Sequence, residues 1–469
     1  MQTRKDLLQA HRLMTQRAGL ALVQGQPDTA EQPLRRMNIA TFAGVMVAVL
    51  IAAVFGIIGA ISHTGGQLSP GASGVVVMDS DTGTSYIWCS TGGRQLCPAV
   101  NYASARLAAG AGGNGVTVQG VSQGALTHYP QGQEIGIPGL PALPLPGNLI
   151  RGPWSVCVAI SSNATRQQQV VTLVAGRSVG GQPVNASKAV LVQAQGRSWL
   201  IWNGQRLAIQ QAATTILQGS SQQAAQVPAQ WLNSLPKGPP FQAPPIPGAG
   251  APTANGPPGA TVGQVYKVAE GSGFQWFVQL AGGVAKISET DGLLLQATAQ
   301  SQVTTPTISQ ISGHVTQAKV GNSDLPQVPP TVILFGPTAP LCAVYNAGSG
   351  PAAGEVALNG VIPSGALPAA GATPGNASVN RVWLPPNKGA LIGVSTVSGQ
   401  QSATTYFLVV GATKYALAAR AATTAADLGY SLGAQSVLVP VNISDLIPRG
   451  STLDPTAARL PVAQQAVGG

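Results

Sequence analysis

Residues 38–61 read NIATFAGVMVAVLIAAVFGIIGAI, a run without a single charged side chain. A hydrocarbon core about 30 Å thick needs about 20 such residues as helix, so this stretch reads as a bilayer span. Arg35 and Arg36 stand just before it. The first acids beyond it are Asp79 and Asp81, and the first arginine or lysine is Arg94. Positive charge is held on the N-terminal side, which assigns residues 1–37 to the cytoplasm and everything after about Ser62 to the outside. A cleaved signal peptide fits poorly. Its apolar core is usually about 7–15 residues long and is followed by an A-x-A-like site, which this flank lacks.

The exported part is unusual in composition. Charged residues make up 8% of the 469-residue chain, against about 25% in ordinary globular domains. Hydrophobic residues are 44%, so the chain can bury a core. With 59 Gly and 37 Pro it predicts many turns and short strands. The net charge of +10 is scattered, with no Lys/Arg run of the kind a nucleic-acid surface needs.

The four cysteines, Cys89, Cys97, Cys157 and Cys342, all follow the span, and an even number there suggests disulfides. SYIWCSTGGRQLCPAV reads strand, Gly-Gly turn, strand. A turn centred on Gly93 sets Cys89 opposite Cys97 at cross-strand distance, leaving Cys157 to pair with Cys342. The alternative is one bridge and two buried thiols.

Four segments outside share one order: a strand with an aromatic residue, a Gly-bearing turn, a strand, an Ala-rich helix. They begin at Ser85, Ser198, Gln275 and Thr405, with Trp88, Trp199, Trp276 and Tyr406 as the aromatics. Each is expected to be a small ββα-like lobe whose helix covers the aromatic face. Two further segments, GPWSVCVAI from Gly152 and GPTAPLCAVYN from Gly336, fall between them. This symmetry suggests two halves meeting in a central β-rich domain stapled by Cys157–Cys342. Pro-rich joints start at Ile135 and Leu235 and imply an elongated region. The partition is a cytosolic amphipathic helix and linker (1–37), the transmembrane helix (38–61), repeat 1 (62–134), a Pro-rich joint with half of the central domain (135–188), repeat 2 and Pro-rich linker (189–261), repeat 3 (262–320), the other central half (321–400), and repeat 4 with the C-terminal tail (401–469). The expected fold is a membrane-anchored α+β chain.

Residues 3–22 read as an amphipathic helix with Leu7, Leu8, Leu13, Met14, Leu20 and Leu22 on its apolar face and Arg4, Lys5, Arg12 and Arg17 elsewhere, Leu7, Leu13, Met14 and Leu20 being the residues expected to dock. With under forty residues on that side there is no core to pack into, so the helix is expected to dock on a partner or on lipid headgroups. Arg35 and Arg36 are the topology anchors.

The block TRKDLLQAHRLMTQRAGLALVQGQPDTAEQPLRR, with PAVNYASARL from Pro98, the motifs GIPGLPALPLP and LPKGPPFQAPPIPG, and IPRGSTLDPTAARLPV near the end, resembles the EccB family. EccB is the single-span core subunit of the type VII (ESX) secretion machine, and the resemblance covers nearly the whole chain. It implies a complex with an EccC-type ATPase, EccD, EccE and a mycosin protease. It also implies further EccB copies around a pore, and a barrel-like central domain flanked by four repeats. Cys97 departs from the family, where many relatives have histidine, so the Cys89–Cys97 bridge rests on register alone.

Catalytic constellations are scarce. There is no G-x-x-x-x-G-K-[ST] phosphate cradle, and His128 and His314 show no metal-ligand spacing. GVSQGAL around Ser122 resembles a nucleophile elbow loosely and reads more simply as a Gly/Ser turn. No catalytic, cofactor or metal residues are assigned, no nucleic acid is expected, and the chain is not expected to be an enzyme. The reading is a structural secretion-complex subunit in the plasma membrane. The alternatives are an envelope anchor binding cell wall or another ligand, and an extracytoplasmic hydrolase or ATPase.

Overall fold

The computed structural model describes residues 4–24, 33–62, 68–90, 93–110, 112–161, 168–217, 224–299, 303–333, 339–346, 354–369, 378–395 and 403–462. The chain divides into two compact units, Met1–Leu68 and Ser69–Gly469. The first contains two helices, α1 (Arg4–Gln24) and α2 (Pro33–Ser62). Pro33 opens α2, where its missing N–H costs nothing and its fixed φ suits the first helical position. Within α2, Met37–Ile57 is long and apolar enough to cross a membrane, and none of it is buried by protein. At 1.5 Å per residue it spans about 32 Å. Phe42 and Phe55 are 72% and 70% exposed. A belt of large apolar side chains with no protein against it is stable in lipid, not in water.

Among the described residues, the second unit holds four small sheets and one seven-stranded sheet. Each small sheet follows the same path. In the first, β1 (Val75–Asp79), β2 (Ser85–Trp88) and β3 (Leu96–Pro98) form an antiparallel meander. Helix α3 (Tyr102–Ala109) crosses over, and β4 (Thr117–Val121) returns parallel to β1. A short helix, Gln123–Leu126, follows, and the chain then bridges in parallel to β3 through Gln131. The other three sheets repeat this. Their meanders begin at Lys188, Val265 and Gly389. After each helix the chain returns parallel to the first strand at Ala225, Thr304 and Ser436. A last parallel contact with the third strand is made by Lys237, Val315 and Arg449.

The ββα description therefore covers only the middle of each unit. Both the strand before it and the two parallel returns after it belong to the same sheet. The aromatics also do not share one role. Trp276 lies beneath the helix Glu289–Ala299, where a Cβ on Gly292 would come within 2.4 Å of its ring. Trp88 instead stacks edge-on against Tyr129, beyond the short helix, with centroids 5.2 Å apart. Side chains alternate between faces with period two, so an offset of one position sends the ring to the opposite face. The Pro-rich joints are packed straps rather than free linkers. Phe241 and Leu235 are buried, as are Ile135, Ile137 and Leu140. Proline keeps such segments extended, and the residues between prolines fill the lobes' edges.

The seven-stranded sheet is built from both halves of the unit. Trp154–Ser161 runs antiparallel to Leu341–Tyr345, with Cys157 directly opposite Cys342. Arg381–Trp383 adds to the other side of Gln168–Ala175. One face of this sheet packs on the second and fourth small sheets. Val156, Val158 and Leu173 meet Val190, Val192, Ile392, Phe407 and Val439 in a continuous core. The first small sheet packs against the fourth through Leu107, Ala425 and Leu428, and the second against the third through Leu207, Leu217 and Leu294. The arrangement is pseudo-symmetric: each half contributes one small sheet to the central core and one that packs beside the other half's core sheet.

Candidate functional site

Three features carry the sequence-based expectations: helix α1, the basic flank of α2 and the disulfides. On α1, Leu7, Leu13 and Met14 are 65%, 56% and 75% exposed. The side chain of Leu20 lies outside the described residues. At about 100° per residue, Leu7, Leu13, Met14 and Leu20 span an arc of about 140°. Asp6 and Arg17 fall inside that arc, so Arg17 does not point away from it as the sequence reading had it. The face is apolar with one acid and one base set into it. Leu8 and Leu22, which the sequence reading also placed on this face, fall outside the arc and are exposed, as is Val23. Arg35 and Arg36 occupy the first turn of α2, and their side chains lie outside the described residues.

Cys157 and Cys342 are bonded, with Cα atoms 4.0 Å apart, and both are fully buried. Cys89 and Cys97 are also bonded, with Cα atoms 5.2 Å apart, but not in the expected register. Cys97 pairs with Ile87, and the N–H of Cys89 donates to Gln95 O, so the bridge runs diagonally. The turn is closed by the Gly93 N–H on Ser90 O, so it lies earlier in the chain than a turn centred on Gly93. A Cβ on Gly132 would lie 2.7 Å from both sulfurs, so only glycine lets that return strand lie on the bridge.

The signature PAVNYASARL serves packing. Asn101 caps α3 by accepting from the Ser104 N–H, while its Nδ2 donates to Ile137 O. Arg106 Nε donates to Asp427 O at 2.8 Å, tying the first sheet to the fourth. Arg459, in the C-terminal motif, donates back to Ala108 O at 2.8 Å. Two arginines thus join the lobes through backbone carbonyls, a contact no local pattern announces.

The loose elbow at Ser122 has a strand before it and a short helix after it. Its backbone is ordinary extended chain (φ −74°, ψ 154°). His128 Nδ1 lies 3.1 Å from Gly124 O, and the Asp81 carboxylate accepts the Gln123 N–H. Among the described residues no hydrogen bond joins Ser122 to His128, and no group of three or more His, Cys, Asp or Glu could hold a metal.

Two buried charges stand out. Lys414 Nζ donates to Ser444 O at 2.6 Å and lies 3.6 Å from Asp445, with its pKa lowered chiefly by burial. Asp291, 3% exposed, accepts from Ser288 Oγ at 2.7 Å, while its Oδ1 has no partner. Burial raises its pKa, against the Ser288 hydrogen bonds that lower it. A carboxyl whose folded pKa is raised favours the folded state most when protonated. That contribution is lost as pH climbs from the ordinary 3.8 through the raised value. Asp291→Asn keeps the Ser288 partner and removes the ionisation. The variant is expected to melt higher than the parent at pH 7 and to lose that advantage below about pH 4. Thermal melts of the two proteins at both pH values check this; an equal or lower midpoint at pH 7 would contradict the assignment.

Comparison with known proteins decides the family. The profile described as "Type VII secretion system ESX-1, transport TM domain B" (EccB) matches residues 1–466. The chain belongs to this family. It is 31% identical over 353 residues to the ESX-1 secretion system ATPase EccB1 of Mycolicibacterium smegmatis (strain MKD8), covering 72% of this chain and 71% of that protein. The EccB1 of Mycobacterium tuberculosis (strain ATCC 25618 / H37Rv) is 29% identical over 359 residues, covering 74% and 72%. Among solved structures, a chain of the intact ESX-5 inner membrane complex shares the fold at TM-score 0.67 and 23% identity, covering 98% of this chain and 95% of that one. The EccB3 dimer from the ESX-3 core complex matches at TM-score 0.66 and 25% identity, covering 82% and 99%. The EccB resemblance and its type VII (ESX) assignment are thereby established for this chain.

Proposed function

We propose that this EccB-family chain is a structural subunit of a type VII secretion membrane complex. It couples cytosolic and membrane partners to an extracytoplasmic scaffold. The observation that carries the reading is the family match across residues 1–466, which takes in the N-terminal helix, the apolar span and the β-rich unit together. A single apolar helix between a basic flank and a charge-poor one supports a one-pass chain with its N-terminus in the cytoplasm. The partners are an EccC-type ATPase, EccD, EccE, a mycosin protease, lipid and further copies of the chain. The mixed apolar and charged arc of α1 suits a protein groove better than lipid alone, since the Arg17 charge set among its leucines is best met by a polar group on the partner. The four small sheets are copies of one repeat, and the two disulfides brace them: Cys157–Cys342 across the halves, Cys89–Cys97 within the first.

Relatives carry "ATPase" in their names, so hydrolysis of ATP is the second reading. The absence of a Walker-type cradle in the sequence favours a scaffold, with the energy supplied by a partner. Purified chain freed of partners is expected to turn over no ATP above a mock preparation. Saturable turnover lost with a point variant of this chain would favour the enzyme.

Topology has its own test. A cysteine at Gln24 is expected to resist a membrane-impermeant thiol reagent in intact cells, and one at Ser73, which is exposed, to react. Labelling at position 24 would invert the assignment.

A further inference from the structure

The outer edge of the first small sheet is open. In the parallel β1–β4 pair, the Thr117 N–H donates to Gly74 O and the Ser80 N–H to Val121 O. The odd-numbered residues of β4 therefore bond to β1, and Val118 and Gly120 turn their N–H and C=O groups outward. Neither residue has a hydrogen-bond partner among the described residues, and both are exposed, Val118 at 42%.

Two of the corresponding edges elsewhere are very short, and the third carries a proline at its end. The return strand of the second sheet is two residues long, Ala225–Gln226. That of the third is a single bridge at Thr304, two residues before Pro306. That of the fourth ends in Pro440, which has no N–H to offer. Short strands and proline are the usual protection of a sheet edge. β4 has neither, and no lysine, arginine or acid occurs from Leu107 to Gln133.

We propose that β4 is a pairing edge for a second copy of this chain, joined antiparallel about a two-fold axis at Gln119. This rests on the copy–copy association in the proposed function and names its surface. Val118 and Gly120 are two residues apart, so in this register each faces the other in the second copy. All four outward groups per pair of residues are then satisfied, giving four hydrogen bonds across the axis. The side chains suit it as well: Val118 meets the second copy's Gly120, large beside small. The uncharged stretch sets no like charges against each other across the axis, which a symmetric pair otherwise must avoid. The product is a continuous sheet across two copies.

Gln119 on the axis is a non-hydrogen-bonded pair, with Cα atoms about 4.5 Å apart, close enough for a disulfide. Thr117, two positions off the axis, would be about 13 Å from its own copy. Full-length Gln119→Cys in native membranes is expected to give a two-chain band on mild oxidation, removed by reductant. Thr117→Cys is expected to remain single, and adding Val118→Pro to Gln119→Cys should abolish the band by deleting one donor. A native mass of the isolated complex is measured in parallel. If it holds several copies and Gln119→Cys does not cross-link, or Thr117→Cys cross-links equally, the edge assignment is overturned while the association stands. If it holds one copy, both are overturned.

Discussion

Replacing Leu13 and Met14 together by Asp is expected to leave the chain inserted and folded outside the membrane, and to abolish both complex assembly and secretion. The two side chains are 56% and 75% exposed on α1, so the isolated helix loses nothing by the change. In a dry protein contact each carboxylate meets an apolar surface, at a cost of roughly several kcal/mol, or about a thousandfold or more in affinity. Membrane fractionation reads the first outcome, and co-purification with secretion of a reporter substrate reads the second. Wild-type assembly by the double variant would remove α1 as a docking element. Arg17→Ala is a milder companion: if the arc meets a polar as well as an apolar partner surface, it weakens assembly in a salt-dependent way.

Loss of the Cys157–Cys342 bridge is expected to destabilise the extracytoplasmic unit by about 2–5 kcal/mol. The bridge joins residues 185 apart in sequence at the centre of the seven-stranded sheet. For a loop that long the chain-entropy estimate is about 5 kcal/mol. Replacing both cysteines by alanine also leaves small voids where 0% exposed sulfurs sat. The urea midpoint of tryptophan fluorescence, measured on the full chain in detergent, is expected to fall accordingly. By comparison, Cys89–Cys97 closes only an eight-residue separation, and its removal should matter less. Equal effects from the two bridges would show that the halves are held mainly by the apolar core.

The span was legible because a charge-free run of that length has one stable environment. The meeting of the halves was legible too, since two Gly-Pro segments with a β-rich cysteine run recur at matching places. Other features depend on tertiary contacts. The first strand of each small sheet, such as Val75–Asp79, has no aromatic residue to mark it, and the parallel returns bond to strands far away in sequence. Gly292 looks like a helix breaker, yet it makes room for Trp276. Arg106 and Arg459 read as scattered charge until Asp427 O and Ala108 O are brought beside them. On α1 only part of the apolar face was legible: Leu7, Leu13, Met14 and Leu20 share one arc, whereas Leu8 and Leu22 fall outside it and Arg17 falls within it, because apparent spacing along a sequence does not fix the angle around a helix.

The proposed role makes this chain a scaffold within a larger membrane assembly. Affinity isolation of the tagged full-length chain from its native membranes in mild detergent, with native mass and partner identification, tests this most directly. The prediction is a megadalton assembly with several copies of this chain alongside a separate ATPase subunit, all ATP turnover following that partner. A lone chain that hydrolyses ATP by itself would contradict it.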